Sequence, residues 1–350
     1  MPRHAANVMN KGTVNTVIYV LIACMVFINF FIYSHIFTDK IPEAHYASSD
    51  AADRENTAAP DSDAERPSAA VSADTLPPDY KYITANVSDT RSGTLILVNN
   101  THPYTFDNQP SVVEPEANSS IYYSKTASYS VRDINVSMNT AAIQALNQMM
   151  DDFYAYQGNK KTIIINQGLR TYEEQQTILD EKIAALGENQ TIAQKPGNSE
   201  HHTGYAMDIS LYENNIMATF TGEGAYSWIF ENAHKYGFIL RYPEGKESVT
   251  GISYESWHFR YVGVPHAEYM YQNQLTLEEY IDKLALYPFE SAHLGVTDSA
   301  TGAAYEIYSV PVSVDGTRVP VPSVADGLTE YSMSGDNSGH VIVTVKTGVQ

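Results

Sequence analysis

Two short clusters of polar residues contain the side chains that a hydrolytic metal site needs. The first covers residues 199–208 (SEHHTGYAMD) and the second covers residues 255–263 (ESWHFRYVG). A catalytic zinc site uses three protein ligands and keeps a fourth position open for water. The ligands predicted here are His201, Asp208 and His258, two imidazoles and one carboxylate. One carboxylate leaves a bound dication with net positive charge, so a water molecule there can ionise near neutral pH.

The second cluster also contains a candidate general base. Glu255 lies three residues before His258. Near the end of a strand or in a turn, that offset can bring a carboxylate beside the metal-bound water without making it a ligand. Gly204 and Ala206 separate the first two ligands, and small residues there permit a sharp chain reversal. We therefore predict that Glu255 takes the proton of the attacking water. His202, next to a ligand, is predicted to be a loop residue that points away from the metal.

Composition excludes several other functions. The single cysteine, Cys24, rules out an intrachain disulfide framework, a thiolate zinc cluster and a CxxC redox pair. With 21 Lys+Arg against 41 Asp+Glu, the net charge of −20 argues against nucleic acid as a partner. The sequence contains neither HExxH nor Ser-x-x-Lys, so these two hydrolase signatures are absent.

Taken together, the two clusters resemble the motifs SxHxxGxAxD and ExWHxRYVG of the VanY-type zinc D-alanyl-D-alanine carboxypeptidases. The wider family includes D,D-dipeptidases and L,D-carboxypeptidases. Its upstream arginine, followed by a glutamine, is matched by Arg170 and Gln175. Gln167 and Leu169 depart from the family's Ser-Gly-Tyr-Arg turn. The resemblance covers about residues 139–269.

The resemblance implies an α+β fold, in which a compact zinc peptidase domain has a small antiparallel sheet flanked by helices. It implies one Zn²⁺ on the three predicted ligands, Glu255 as general base and acid, and Arg170 facing the reacting carbonyl. Ser199 and Gln175 would contact the substrate. The implied reaction is hydrolysis of the C-terminal D-Ala of peptidoglycan stem peptides by zinc-activated water.

Three alternatives to this activity stay open. The chain could be an L,D-carboxypeptidase acting on tetrapeptide stems, which shares the metal chemistry and differs in the pocket for the penultimate residue. A non-catalytic wall-binding or sensor protein on the same fold would have no need of Glu255. A D,D-dipeptidase fits less well, because such enzymes usually serve free dipeptide in the cytoplasm and this chain is predicted to be exported.

Composition divides the chain into five predicted segments. They are a cytoplasmic N-terminus (1–16), a transmembrane signal anchor (17–37), a disordered acidic tether (38–79), the zinc carboxypeptidase domain (80–288) and a β-rich C-terminal accessory subdomain (289–350). The tether is rich in alanine and acidic residues and has few large apolar ones, so burial cannot offset the entropy of ordering it.

The segment at 17–37 contains no Lys, Arg, Asp or Glu, and a helix of about 20 residues spans a hydrocarbon core of about 30 Å. Arg3 and Lys11 precede it, which predicts a cytoplasmic N-terminus and an extracellular catalytic domain on a single-pass membrane protein. Residues 21–24 (LIAC) resemble a lipoprotein cleavage box, but mostly apolar residues follow Cys24. No clear small-residue site supports a cleaved signal peptide.

Local patterns predict the elements that carry the two clusters. Residues 140–156 have apolar side chains at helical spacing, which predicts an amphipathic helix. Thr171 begins a second helix, Glu174 completes its capping box, and Gly187 ends it. Further strands are predicted at 94–99, 161–166, 305–314 and 341–345, and further helices at 225–236 and 276–286.

Overall fold

The computed structural model describes residues 76–115, 117–190, 193–213, 216–323 and 330–349. The predicted cytoplasmic N-terminus and transmembrane anchor, and nearly all of the predicted tether, lie outside these ranges. Within them, no helix combines the length and apolar character needed to cross a membrane.

Seven α-helices lie in the described ranges, several of them only one or two turns long. They are α1 (Ile121–Ser124), α2 (Thr140–Tyr156), α3 (Tyr172–Leu186), α4 (Ser227–Asn232), α5 (Glu247–Thr250), α6 (Val264–Asn273) and α7 (Leu277–Leu284). The predicted start of α3 is confirmed, because the side chains of Thr171 and Glu174 accept hydrogen bonds from each other's backbone N–H. The helix expected at 225–236 is interrupted, since a 3₁₀ turn follows α4 at Ala233–Tyr236.

The strands are short and belong to four sheets. Their bounds are β1 (Tyr80–Ala85), β2 (Asn118–Ser120), β3 (Ser130–Val131), β4 (Ser137–Asn139), β5 (Ile163–Gln167), β6 (Ala206–Glu213), β7 (Ile216–Thr219), β8 (Phe238–Leu240), β9 (His258–Tyr261), β10 (Leu294–Thr297), β11 (Ala303–Pro311), β12 (Thr317–Pro322), β13 (Glu330–Gly335) and β14 (His340–Val349). The predicted α+β class is therefore confirmed.

The central sheet has the strand order β3-β5-β6-β9-β8, with β7 paired to β6. Four of its pairs are antiparallel, as the resemblance implied, and the edge pair β3–β5 is parallel. Strand residues alternate between the two faces of a sheet. Met207, Ile209 and Phe259 enter the core on one face, which directs Asp208 and His258 to the other.

Helix α2 covers the core face of the central sheet. Its side chains Ile143, Leu146, Met150 and Phe153 are buried against β5, β6 and β9. Full burial of such a side chain stabilises the fold by roughly 1.5–3 kcal/mol. The helix therefore holds the strands that carry the polar clusters.

The C-terminal region forms a four-stranded antiparallel sheet with the order β10-β11-β14-β13. Strand β1 pairs with β12, which joins residues from both sides of the boundary predicted at residue 288. A second apolar core packs α6 and α7 against this region, through residues that include Met270, Tyr280 and Ile342.

The strand predicted at residues 94–99 is absent, and this prediction is wrong. Leu95, Ile96 and Leu97 are buried as expected, but their backbone is irregular. Its polar groups bond to distant partners, because Arg260 Nη2 donates to the carbonyls of Thr94 (2.8 Å) and Ile96 (3.0 Å). A buried apolar run therefore need not pair with another strand when side chains form hydrogen bonds with its backbone polar groups.

Candidate active site

The three predicted metal ligands lie together. His201, Asp208 and His258 each offer a donor atom, and these atoms lie within 4.8 Å of one another. His201 Nε2 is 3.5 Å from Asp208 Oδ2, and His258 Nδ1 is 2.8 Å from Asp208 Oδ1. The antiparallel register of β6 and β9 places Asp208 directly opposite His258.

His201 lies in a 3₁₀ turn, Glu200–Thr203, that precedes β6. Its Nδ1–H donates to the carbonyl of Gly168 (2.7 Å), so Nε2 is the nitrogen that faces Asp208. Gly204 ends the turn with φ of +72°, and a Cβ at this position would lie 2.1 Å from Asn118 Oδ1. The positive φ therefore favours glycine here, and any Cβ would also require the exposed Asn118 side chain to move.

The two ring nitrogens of His258 contact different carboxylates. Nδ1 faces Asp208, while Nε2 lies 3.3 Å from Glu200 Oε2. The ring also packs against Tyr242, with a centroid distance of 4.9 Å. The ring plane is thus fixed by packing and by contacts at both nitrogens.

The electrostatics of the cluster suit a cation. Burial alone would raise the pKa of Asp208, but the two histidines hold it well below its usual range. Burial alone would lower the pKa of His258, but hydrogen bonds to Asp208 and Glu200 raise it to about 10. Two imidazoles and one carboxylate that leave further coordination positions open are a donor set that fits Zn²⁺.

Glu255 lies at the edge of the cluster. Its Oε2 is 3.8 Å from His258 Nδ1. Its side chain is 23% exposed, more than those of His201 (6%), Asp208 (16%) and His258 (3%). Burial raises the pKa of Glu255, and His258 opposes this effect. The carboxylate thus stands beside the donor atoms and faces the cleft.

Arg170 reaches the cluster from the loop before α3. Its Nη2 is 4.0 Å from Asp208 Oδ2, and its Nη1 donates to Gln175 Oε1 at 2.7 Å. Gln175 is buried, and its Nε2 donates to the carbonyl of Gln194. Both ends of the Gln175 amide therefore have protein partners, and one of them is the guanidinium of Arg170.

All seven predicted site residues line one cleft of about 400 Å³. They are Arg170, Gln175, Ser199, His201, Asp208, Glu255 and His258. Trp257 and Tyr242 also line the cleft, next to His258. The volume is in the range of small-ligand pockets.

A buried ionic network beneath the cleft was not anticipated from the sequence. Glu200 is 1% exposed, and its Oε1 accepts from Arg241 Nε (2.7 Å) and lies 3.5 Å from Arg260 Nη1. Arg241 also pairs with Glu278. Burial would raise the pKa of Glu200, but the two arginines hold it well below its usual range. In the sequence, the one indication of this network was the acidic residue Glu200 within the first cluster.

His202 lies outside the three-residue cluster, but it is more than an exposed loop residue. Its Nδ1–H donates to the carbonyl of Arg170 (2.7 Å), and its Nε2 accepts from the N–H of Gly197 (3.0 Å). The ring packs against Phe106. His202 thus joins the loop that carries Arg170 to the loop that precedes the first cluster.

Comparison with known proteins gives a consistent result. A family model described as "VanY: D-alanyl-D-alanine carboxypeptidase" matches residues 135–264. A D-alanyl-D-alanine carboxypeptidase of Enterococcus faecium is 37% identical over 256 residues, which cover 73% of this chain and 76% of that protein.

Solved structures are similar too. The D,D-dipeptidase VanXYg, in complex with a D-Ala-D-Ala phosphinate analogue, is 31% identical, with a TM-score of 0.65 over 76% of this chain and 99% of its own. A mutant of the D,D-pentapeptidase VanY from a VanB-type cassette, in complex with Zn(II), is 32% identical, with a TM-score of 0.41 over 54% of this chain and 98% of its own. The chain belongs to the VanY family of D-alanyl-D-alanine carboxypeptidases.

Proposed function

We propose that this chain removes the C-terminal D-alanine of peptidoglycan stem peptides, with His201, Asp208 and His258 as the zinc ligands. The observation that carries the proposal is the approach of their donor atoms to within 4.8 Å of one another in one cleft. The cleft also contains Glu255, a candidate general base, and Arg170, a candidate partner for the developing oxyanion. When bound, zinc supplies Lewis acidity, which makes a water molecule acidic near neutral pH and polarises a carbonyl.

Glu255 is proposed as the general base and acid. Its carboxylate accepts the proton of the attacking water as the water oxygen forms a bond to the scissile carbonyl carbon. It then donates that proton to the departing amine as the C–N bond breaks, so D-alanine leaves as the free amino acid. The raised pKa of Glu255, which results from burial, favours both halves of this transfer.

Arg170 is proposed to face the carbonyl oxygen, where negative charge develops. Its guanidinium is held by Gln175 on one side and lies 4.0 Å from Asp208 on the other. A cation positioned before the reaction stabilises charge without reorganisation during it. Ser199, which lines the same cleft, is proposed to contact the substrate.

The reaction is tested with the full chain, Zn²⁺ and three substrates, namely a defined tetrapeptide stem, a defined pentapeptide stem and the D-Ala-D-Ala dipeptide, with mass spectrometry of the products. Loss of one D-Ala from the pentapeptide is expected. Cleavage of the tetrapeptide alone would assign the L,D-carboxypeptidase activity, and release of free alanine from the D-Ala-D-Ala dipeptide alone would assign a dipeptidase. Zinc binding without any cleavage would favour a wall-binding or sensor protein.

We further propose that residues 17–37 anchor the chain in the cell membrane, with the catalytic domain outside, where its cell-wall substrate lies. The support is the uncharged apolar run and the basic residues before it. Membranes from cells that express the chain should retain it after a high-pH wash, and protease added outside should digest the catalytic domain. Release of a shorter soluble protein would indicate cleavage, and loss of anchoring in Cys24→Ser would indicate lipidation.

A further inference from the structure

One buried carboxylate beside the cleft takes no part in the proposed reaction. Glu200 lies between Ser199 and His201, and its side chain is 1% exposed. Its two oxygens face different partners. Oε1 contacts the arginines Arg241 (2.7 Å) and Arg260 (3.5 Å), whereas Oε2 lies 3.3 Å from His258 Nε2.

The arginines fix the role of the first oxygen. Guanidinium groups only donate hydrogen bonds, so Oε1 of Glu200 can only accept there. Arg241 is fully buried and is held from its other side by Glu278, at 2.7 Å and 2.9 Å. The orientation of the Glu200 carboxylate is therefore set by two guanidinium groups, one of which is itself held by Glu278.

The second oxygen of Glu200 faces the imidazole ring of His258, in which the proton position on one nitrogen determines the state of the other. A neutral imidazole carries its proton on one nitrogen and a lone pair on the other. Ionised Glu200 only accepts, so it requires the proton of His258 on Nε2. The lone pair is then on Nδ1, the nitrogen that lies 2.8 Å from Asp208 and faces the donor cluster.

We propose that Glu200 is a positioning residue, which holds the His258 proton on Nε2 and thereby directs the lone pair of Nδ1 at the metal. The inference rests on the proposed function in one respect, the assignment of His258 as a ligand. A carboxylate behind a ligating histidine fixes its tautomer and orientation and increases its basicity.

The competing explanation is that Glu200 serves only to neutralise the buried arginines. Glu278 provides the matched control, because it pairs with the same Arg241 and, among the described residues, makes no hydrogen bond or ion pair with His258. Glu278→Gln removes one negative charge from the network and leaves the Glu200–His258 contact in place. The two variants therefore separate charge balance from control of the histidine.

Glu200→Gln is the decisive variant. The arginines only donate, so the amide oxygen is expected to face them and the amide NH₂ to face His258 Nε2. That nitrogen must then accept, which moves the ring proton to Nδ1 and blocks the ligand. We expect Glu200→Gln to bind zinc roughly 10- to 100-fold more weakly than the wild-type full chain, and Glu278→Gln to bind it within a few-fold of wild type.

Zinc affinity is measured by competition with a chromophoric chelator, with circular dichroism of each metal-free chain as the folding control. If Glu200→Gln does not fold, the zinc-loaded wild type still tests the proposal, by long-range ¹H–¹⁵N spectra of labelled histidine. A proton on His258 Nε2 supports it. A proton on Nδ1, wild-type zinc affinity in Glu200→Gln, or an equal loss of affinity in Glu278→Gln overturns it.

The affinity assay does not depend on turnover. A wild-type chain that binds zinc more tightly than Glu200→Gln but cleaves no stem peptide would contradict the proposed function alone. An active wild type whose zinc affinity is unchanged by Glu200→Gln would contradict this inference alone.

Discussion

Three carboxylates around the cleft have different roles because their surroundings differ. Glu200 is buried between two arginines, and Asp208 lies between two histidines. Glu255 has a histidine on one side and the cleft on the other, and burial raises its pKa. Environments that separate the pKa values of neighbouring carboxyl groups assign them different chemical tasks. Glu255 is thus the carboxylate best suited to exchange protons with a substrate.

Replacement of Glu255 by alanine is expected to separate catalysis from metal binding. Because Glu255 is not one of the three proposed ligands, Glu255→Ala should retain zinc, while kcat falls at least ~100-fold through loss of the proton acceptor. Turnover and zinc content are measured on the same preparation. Glu247→Ala, at an exposed position on α5, is the control. Near-normal turnover by Glu255→Ala would rule out its role as general base.

Gln175 was predicted to contact the substrate, but its amide oxygen binds Arg170. We expect Arg170→Ala to lower kcat by roughly 100-fold, the effect of losing one oxyanion donor. Gln175→Ala should slow the wild type and have little further effect in Arg170→Ala, because it acts through the guanidinium. A double-mutant cycle on kcat measures this coupling. Equal effects of Gln175→Ala in both backgrounds would instead support direct substrate contact.

At the scale of elements, the site depends on the turn that enters β6 and on the pairing of β6 with β9. The 3₁₀ turn orients His201, and the pairing brings Asp208 opposite His258. Helix α2 supports these strands from the core face. The donor atoms are therefore placed by one turn and one strand pair, both of which have a packed core behind them.

Gly204→Ala is expected to destabilise the fold through this turn. Alanine would have to adopt φ near +72°, and its Cβ would meet the side chain of Asn118, at a cost of roughly 1–3 kcal/mol. Gly251→Ala is the matched control, because Gly251 has φ of +71° but open space around the added Cβ. Urea unfolding should show a loss of this size in both variants, and any excess for Gly204→Ala would give the cost of moving the Asn118 side chain. Wild-type stability of Gly204→Ala would contradict the prediction. Equal losses would mean that the Asn118 contact relaxes without cost.

At the scale of the whole molecule, one histidine connects the helices next to the central sheet with the C-terminal sheet. His266, on α6, is buried, and its Nδ1 lies 2.8 Å from the hydroxyl of Tyr280 on α7. Its Nε2 lies 3.1 Å from Thr344 Oγ1 on β14. Burial lowers the pKa of His266 to about 3.

This burial predicts a loss of stability in acid. An unfolded histidine has a pKa of about 6.5, so below that pH the unfolded chain binds one more proton than the folded chain. The stabilisation is complete above about pH 6.5 and falls toward pH 3, by up to about 1.4 kcal/mol per pH unit. His266→Gln should reduce this slope in urea unfolding between pH 7 and pH 5 (about one proton). An unchanged slope in His266→Gln would contradict the assignment.

The sequence by itself determined the chemistry and the local elements. The motifs identified His201, Asp208 and His258 as candidate ligands, and the donor atoms of these three residues do lie close together. The periodicity of α2 and the capping box of α3 were also readable, because such signals involve residues only a few positions apart.

Only the tertiary structure decided which distant groups pair. Glu200 meets Arg241 and Arg260, a pairing that no spacing in the sequence indicated. In the buried run 94–99, the carbonyls of Thr94 and Ile96 accept from Arg260 instead of from a neighbouring strand. Strand β1 pairs with the distant β12. These contacts join residues far apart in sequence, and they are selected by packing and by the need to pair buried charges. No local pattern carries that information.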